Sequence, residues 1–178
     1  ERALGLVEYE RLSLSGWLAQ DHRRGPLDAN ARGFVPGEGA VAVVLRRQED
    51  AEREGIAVRS IIRSIACARA ASLPEAVEQA ARRSLETAGG MGGVRLVESS
   101  AVGLPEIDRL ECQTLARAYG ASAERPLHLG TLAGQTGYIA SAAGLMAVIK
   151  ATLALQHQQW PGCGAVESPA EFLTSPAS

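Results

Sequence analysis

Short β-branched runs alternate along this chain with longer stretches of helical periodicity, and that alternation constrains the fold more than any other feature. Parallel strands need long crossovers, most often helices, so a strand–helix–strand order predicts an α/β layered fold with a mostly parallel sheet. Residues 40–45 are Val-rich and bounded by Gly and Pro, the pattern of a strand buried on both faces. Residues 46–54 are charged and read as a surface helix or turn that Gly55 stops, and residues 56–66, rich in Ile and Val, read as a second strand. Shorter strands are predicted at 94–97 and 127–132.

The helices carry their own punctuation. Ser72-Leu73-Pro74-Glu75 has the form of a capping box, and Ala76, Val77, Ala80, Ala81, Leu85 and Ala88 follow at helical spacing until Gly89-Gly90. Residues 107–119 read as an amphipathic helix closed by Gly120, and residues 140–156 as a helix apolar nearly all round, the mark of a buried central helix. Residues 1–33 are mixed, with turn signals at Gly16, Gly25-Pro26 and Asp28 to Asn30, and the stretch after Pro161 reads as loop.

Composition excludes several classes of function. Formal net charge is −2 and aromatic content 4%, which leaves no electrostatic footprint for nucleic acid or an anionic membrane and no base-stacking platform. The longest apolar stretch, residues 139–155, contains Lys150 and is short for a membrane span. Cys67, Cys112 and Cys163 are odd in number, widely spaced and without a CxxC pair, which argues against a disulfide framework or a zinc site and points to a reducing cytoplasm. His22, His128 and His157 lack metal-ligand spacing, Gly37-Glu38-Gly39 is followed by no Lys-Ser/Thr as a P-loop requires, and Gly89 to Gly93 reads as a helix stop. No metal and no cofactor is expected. The first residues show no charged-then-apolar pattern, so no signal peptide is read in this sequence, and the absence of an initial Met points to a trimmed or excised piece.

Three segments carry a family resemblance. Gly25-Pro26-Leu27-Asp28-Ala29-Asn30 through Gly33-Phe34-Val35-Pro36-Gly37-Glu38-Gly39-Ala40 resembles the ketosynthase stretch R-P-F-D-A-x-x-x-G-F-V-P-G-E-G-A. Pro105, Asp108 and Glu111, with Leu115, Tyr119 and Gly120, are similar to that family's P-x-x-D-x-x-E helix. Leu129-Gly130-Thr131 through Gly137, then Ala142-Ala143-Gly144-Leu145 and Ile149-Lys150, resemble L-G-S-V-K-S-N-I-G-H and the A-A-G-x-x-x-x-I-K that follows it. Order and spacing agree over roughly residues 4–165. The resemblance implies a thiolase-like fold: two βαβ halves with mostly parallel five-stranded sheets facing each other across buried helices, usually dimeric. Residues 1–66 would end the N-terminal half, residues 67–165 would form the C-terminal half, and residues 166–178 would be loop or tail.

The same resemblance shows what has changed. Decarboxylative condensation needs a cysteine thiolate to hold the acyl chain and donors that stabilise the enolate. In the family that cysteine lies in a T-A-C-S-S-S motif upstream of the region matched here; no such motif exists in this chain, and its three cysteines fall at unrelated places. Laying the family's first histidine on residues 98–111 without a gap puts Ser100 in its place, with Ala101 and Val102 for the following Gly and Thr. The second histidine falls on Tyr138 and the lysine on Ala133. Serine lacks an imidazole's donor–acceptor chemistry near neutral pH, alanine supplies nothing, and a tyrosine hydroxyl titrates only near about 10. Since one lost oxyanion donor costs roughly 100- to 1000-fold in rate, no catalytic residue is expected at these positions. Ser100 and Tyr138 either fill a vestigial pocket, or Tyr138 gates or donates within a repurposed one.

Two further departures accompany these. The chain passes almost directly from Ile65 to the Ser72 cap, where modular members carry a longer N-x-D-G-type loop at the substrate entrance, and the family's closing G-F-G-G-T-N-A-H strand–turn is missing. Sheet edges are therefore expected to lack partners, as in part of a larger polypeptide. Three functions fit. One is a non-catalytic component of chain-length-factor type in a polyketide or fatty acid synthase, with an active ketosynthase and an acyl carrier protein as partners. The others are a divergent decarboxylative β-ketoacyl synthase and a scaffolding or docking domain of a megasynthase. Arg82-Arg83 reads as a solvated helix face, with carrier-protein docking as the alternative.

Overall fold

The computed structural model describes residues 4–90, 93–122 and 124–174. Six α-helices are described: α1 (Leu6–Leu14), α2 (Gln48–Arg53), α3 (Leu73–Thr87), α4 (Pro105–Ala118), α5 (Ala133–Thr136) and α6 (Ala143–His157). Strands β1 (Leu96–Glu98) and β2 (His128–Gly130) pair in parallel, Leu96 opposite His128 and Glu98 opposite Gly130, with α4 as the crossover. The α/β class with a parallel sheet is as expected, and the described residues supply two paired strands, part of the five-stranded sheet that the resemblance implies.

The helices obey their punctuation. Ser72 Oγ accepts the Glu75 N–H at 3.4 Å, and α3 ends where the Gly90 N–H reaches back to the Leu85 carbonyl at 2.8 Å. Pro105 opens α4, where its missing N–H costs nothing, and Gly120 closes it. Helices α3 and α4 pack together, burying Ala81 and Leu85 of one and Cys112, Leu115 and Ala118 of the other. A small core of Leu27, Ala101 and Cys112 is completed by Leu129, Cys163, Val166, Phe172 and Leu173.

Four readings need correction. Residues 40–45 and 56–66 run without strand pairing, and Val44 and Leu45 are exposed rather than buried on both faces. β-Propensity marks a segment that fits a sheet; it does not supply the neighbouring strand. Helix α6 is not buried: Leu145, Val148, Leu153 and Leu155 are exposed, and its buried residues are Ala154 and, against expectation, the charged Lys150. The stretch after Pro161 is more than loop, because an Asp28–Pro169 bridge and the 3₁₀ turn Glu171–Leu173 carry Phe172 and Leu173 onto the core. Helix α1 was not anticipated at all. Part of the Gly89 to Gly93 loop, and Pro176, lie outside the described residues. Among the described residues no helix is long and apolar enough to cross a membrane.

Lys150 is buried because Glu98, the last residue of β1, is buried beside it, with Nζ 2.7 Å from Oε2 and side chains 6% and 9% exposed. The contact is an ion pair without an aligned hydrogen bond, and Lys150 Nζ also lies 5.3 Å from the Trp160 ring centre. Gly130 leaves room for this group: a Cβ there would stand 2.7 Å from Glu98 Oε2 and 3.0 Å from the indole. Removing one partner of a buried pair strands the other charge, whereas removing both does not. Lys150→Met is therefore expected to lower the unfolding free energy by about 3–5 kcal/mol in urea titrations. Adding Glu98→Gln to it should recover most of the loss; a double variant as unstable as the single one would refute this account.

Candidate functional site

The loops that leave the C-terminal ends of β1 and β2 form the candidate site. After β1 the chain turns sharply through residues 99–104 into α4, and two carboxylates one turn apart on α4 hold that turn. Asp108 accepts the N–H of Val102 at 3.0 Å and that of Gly103 at 2.7 Å. Glu111 accepts the Ser100 N–H at 2.9 Å and the Ser100 hydroxyl at 2.8 Å. Gly103, with φ near 93°, accepts the Gly33 N–H on its carbonyl at 2.7 Å. A Cβ on Gly103 would meet the Gly33 carbonyl oxygen at 2.2 Å, so both its left-handed backbone and its surroundings require glycine.

The loop after β2 is tied to the first. Buried Thr131 donates its hydroxyl to the Ala101 carbonyl at 2.7 Å, and its Oγ1 accepts the Ala133 N–H at 3.3 Å. Beyond α5, the Tyr138 N–H donates to the Val35 carbonyl at 2.7 Å and the Gly37 N–H to the Tyr138 carbonyl at 3.1 Å. The Tyr138 ring leans on buried Phe34 with centres 4.8 Å apart and planes tilted by 59°, an arrangement favourable to aromatic pairs. Residues 33–37 thus bridge the Gly103 loop and the Tyr138 loop.

These contacts place the three positions singled out in the sequence. Ser100 sits on the first loop, solvent-exposed, its hydroxyl committed to Glu111. Ala133 opens α5 and lines a cavity of about 180 Å³ together with His22, Arg24, Phe34 and Gln135. Tyr138 is half-buried against Phe34. Neither Ser100 nor Tyr138 lines that cavity, and none of the three lines a larger, shallower one of about 450 Å³ between Asp28, the start of α4 and Glu171. The sequence reading missed the organising roles of Asp108 and Glu111; their i, i+3 spacing, which puts them on one face of α4, was the available signal.

Among the cysteines, Cys112 is buried, and burial, with help from Glu111, Asp108 and Cys163, pushes its thiol up to about 12, so it holds its proton at neutral pH. Cys163 Sγ lies 3.7 Å from the Leu129 carbonyl, and Cys67 is exposed. His22, His128 and His157 are all exposed, and no group of three metal-ligating side chains occurs among the described residues.

The whole architecture matches known proteins. Residues 51–167 match the family described as beta-ketoacyl synthase, C-terminal domain, and residues 1–51 its N-terminal domain. The chain is 38% identical over 157 residues to a mycocerosic acid synthase-like polyketide synthase of Mycolicibacterium smegmatis, covering 84% of this chain and 7% of that protein. It is 33% identical over 166 residues to a pikromycin polyketide synthase component of Streptomyces venezuelae, covering 88% and 11%. Among solved structures it superposes on the ishigamide ketosynthase/chain length factor with TM-score 0.84 at 20% identity, covering 97% of this chain and 43% of that one. It superposes on an oxazolomycin ketosynthase domain from Streptomyces albus with TM-score 0.84 at 26% identity, covering 97% and 32%. This chain belongs to the beta-ketoacyl synthase family and has its thiolase-like fold, and it spans less than half the length of each of these proteins.

Asp108 gives the site a measurable pH signature. Burial raises its carboxyl above the ordinary 3.8, and Glu111 adds to this, although the Val102 and Gly103 amides pull the other way. A raised acid binds its proton more tightly folded than unfolded, so its contribution to stability is full below pH 3.8 and falls as pH rises through the elevated value. Asp108→Asn removes that titration. The stability difference between wild type and variant, measured by urea unfolding from pH 3 to 7, is expected to shift against wild type with rising pH; a pH-independent difference would contradict the assignment.

Proposed function

We propose that this chain is part of a ketosynthase-like component of chain-length-factor type. In this reading it does not condense acyl groups itself, but pairs with an active ketosynthase and shapes the pocket in which the acyl chain grows. One observation carries the reading: the positions where the family's histidines and lysine would act hold side chains turned to structural use. The Ser100 hydroxyl is bound to Glu111, Ala133 offers only a methyl group, and the Tyr138 ring packs on Phe34. None of these can play an imidazole's part toward a malonyl carboxylate or enolate.

The Phe34–Tyr138 pair suits a pocket wall. Phe34 lines the cavity that Ala133 also borders, and Tyr138 buttresses it from behind. Rigid aromatic rings stop a growing apolar chain by volume alone, with no chemistry required. The fold likeness to the ishigamide ketosynthase/chain length factor is consistent with this role. An acyl carrier protein would deliver the chain, and the cytoplasm would be the compartment.

The test is co-expression of the protein with a partner ketosynthase and carrier protein, followed by analysis of product length. Tyr138→Ala is expected to shift the distribution toward longer products by at least one extension unit, with condensation retained. Loss of all condensation with the complex still assembled would mean that Tyr138 belongs to a working active site. An unchanged distribution would favour a purely scaffolding role.

A further inference from the structure

One cluster of polar groups lies enclosed by the chain with its bonding capacity unused. Glu98 ends β1, Lys150 lies midway along α6, and Trp160 follows shortly after that helix. Both carboxylate oxygens of Glu98, Lys150 Nζ and the indole Nε1 of Trp160 are sealed from solvent, and none makes an aligned hydrogen bond. Nζ and Oε2 meet at 2.7 Å as an ion pair, and Nζ lies 5.3 Å from the indole ring centre. Groups buried in this way carry the full penalty of desolvation unless something bonds to them.

Gly130 of β2 shows where the unused contacts converge. A Cβ there would have Glu98 Oε2 at 2.7 Å and Trp160 Nε1 at 3.0 Å among its nearest atoms. Those are hydrogen-bond distances, too short for packed carbon. The φ of Gly130 is not positive, so its surroundings and not its backbone require glycine. The carboxylate and the indole nitrogen both border the space that a methyl group would fill, which is about what one water molecule needs.

We propose that a single structural water is bound here, accepting from Lys150 Nζ and Trp160 Nε1 and donating to the Glu98 carboxylate. The chemistry of the three groups selects this ligand. Two donors and one acceptor match a molecule that has two lone pairs and two hydrogens. A cation would be repelled by the ammonium group, and an anion by the carboxylate. A segment of another polypeptide cannot reach atoms that this chain already encloses. Buried waters make about three hydrogen bonds, the number this site offers. The water joins β1, α6 and the segment after α6 beside Gly130, at the base of the loops that carry Ser100 and Ala133.

A crystal structure of the chain with ordered solvent reads the site directly. One oxygen is expected within roughly 2.7–3.2 Å of Lys150 Nζ, Trp160 Nε1 and a Glu98 oxygen. In solution, isotope labelling of the indole nitrogens separates Trp160 from the exposed Trp17. The Trp160 indole N–H is expected to show a direct rotating-frame Overhauser contact with water, opposite in sign to an exchange peak. It is also expected to exchange with deuterium oxide at least about tenfold more slowly than that of Trp17. Gly130→Ala fills the space and is expected to abolish the water contact. A direct Trp160–Glu98 hydrogen bond, an ion at the position revealed by anomalous scattering, or no ordered oxygen there would overturn the proposal. So would a water contact that survives in folded Gly130→Ala. If that variant does not fold, the wild-type contact and the crystallographic position decide alone.

Discussion

Backbone amides that face inward at a sharp turn have to find acceptors, and in this chain carboxylates supply them. Asp108 and Glu111 take the amides of Ser100, Val102 and Gly103. Asp28 does the same on the other side of the core, accepting N–H groups from Asn30, Glu167 and Ser168 at 2.8, 2.8 and 3.0 Å. Burial alone would raise the Asp28 carboxyl, but those three amides and Arg24 outweigh it and hold it below its ordinary value. Charge-assisted bonds of this kind are stronger than neutral ones, so a few side chains fix loops that have little apolar surface to bury. Turns at 28–30, 99–104 and 166–170 then pack on one another through Leu27, Ala101, Val166 and Ala170.

The amount legible in advance follows from where each signal resides. Helix α3 was readable because its cap, stripe and terminator are all local, and α4 and the two paired strands for the same reason. The motif positions Asp28, Asp108 and Glu111 were visible as a pattern, but which amides they serve depends on a fold that brings residue 28 to residues 167 and 168. Segments 40–45 and 56–66 show the limit from the other direction. Their composition favours a sheet, yet pairing is a property of two strands, and the partner is not encoded in the segment that seeks it.

Helix α6 and Lys150 make the same point about burial. An apolar circumference states what a helix could bury, not what covers it, and here several leucines stay exposed while the lysine goes inside. The lysine is buried because Glu98 is, and that contact joins residues 52 positions apart (150 − 98). Nothing in a window of local periodicity reports such a pair. The ion pair sits beside Gly130, at the base of both loops that carry Ser100 and Ala133, so a long-range electrostatic contact fixes the root of the site.

This manner of support bears on how far the shape of the site depends on the side chains it presents. Asp108 binds the amides of residues 102 and 103, and Glu111 that of residue 100, and any residue except proline offers the same N–H. The cradle is therefore indifferent to most side chains at 100 and 102, while Gly103 and the small Ala101 are fixed by contact with Gly33 and the core. Ser100 goes further and donates its own hydroxyl to the Glu111 carboxylate, which reinforces the loop. A scaffold held by main-chain contacts lets its functional side chains be exchanged independently. The turn geometry therefore constrains the backbone at residues 100–103 more than the side chains it presents.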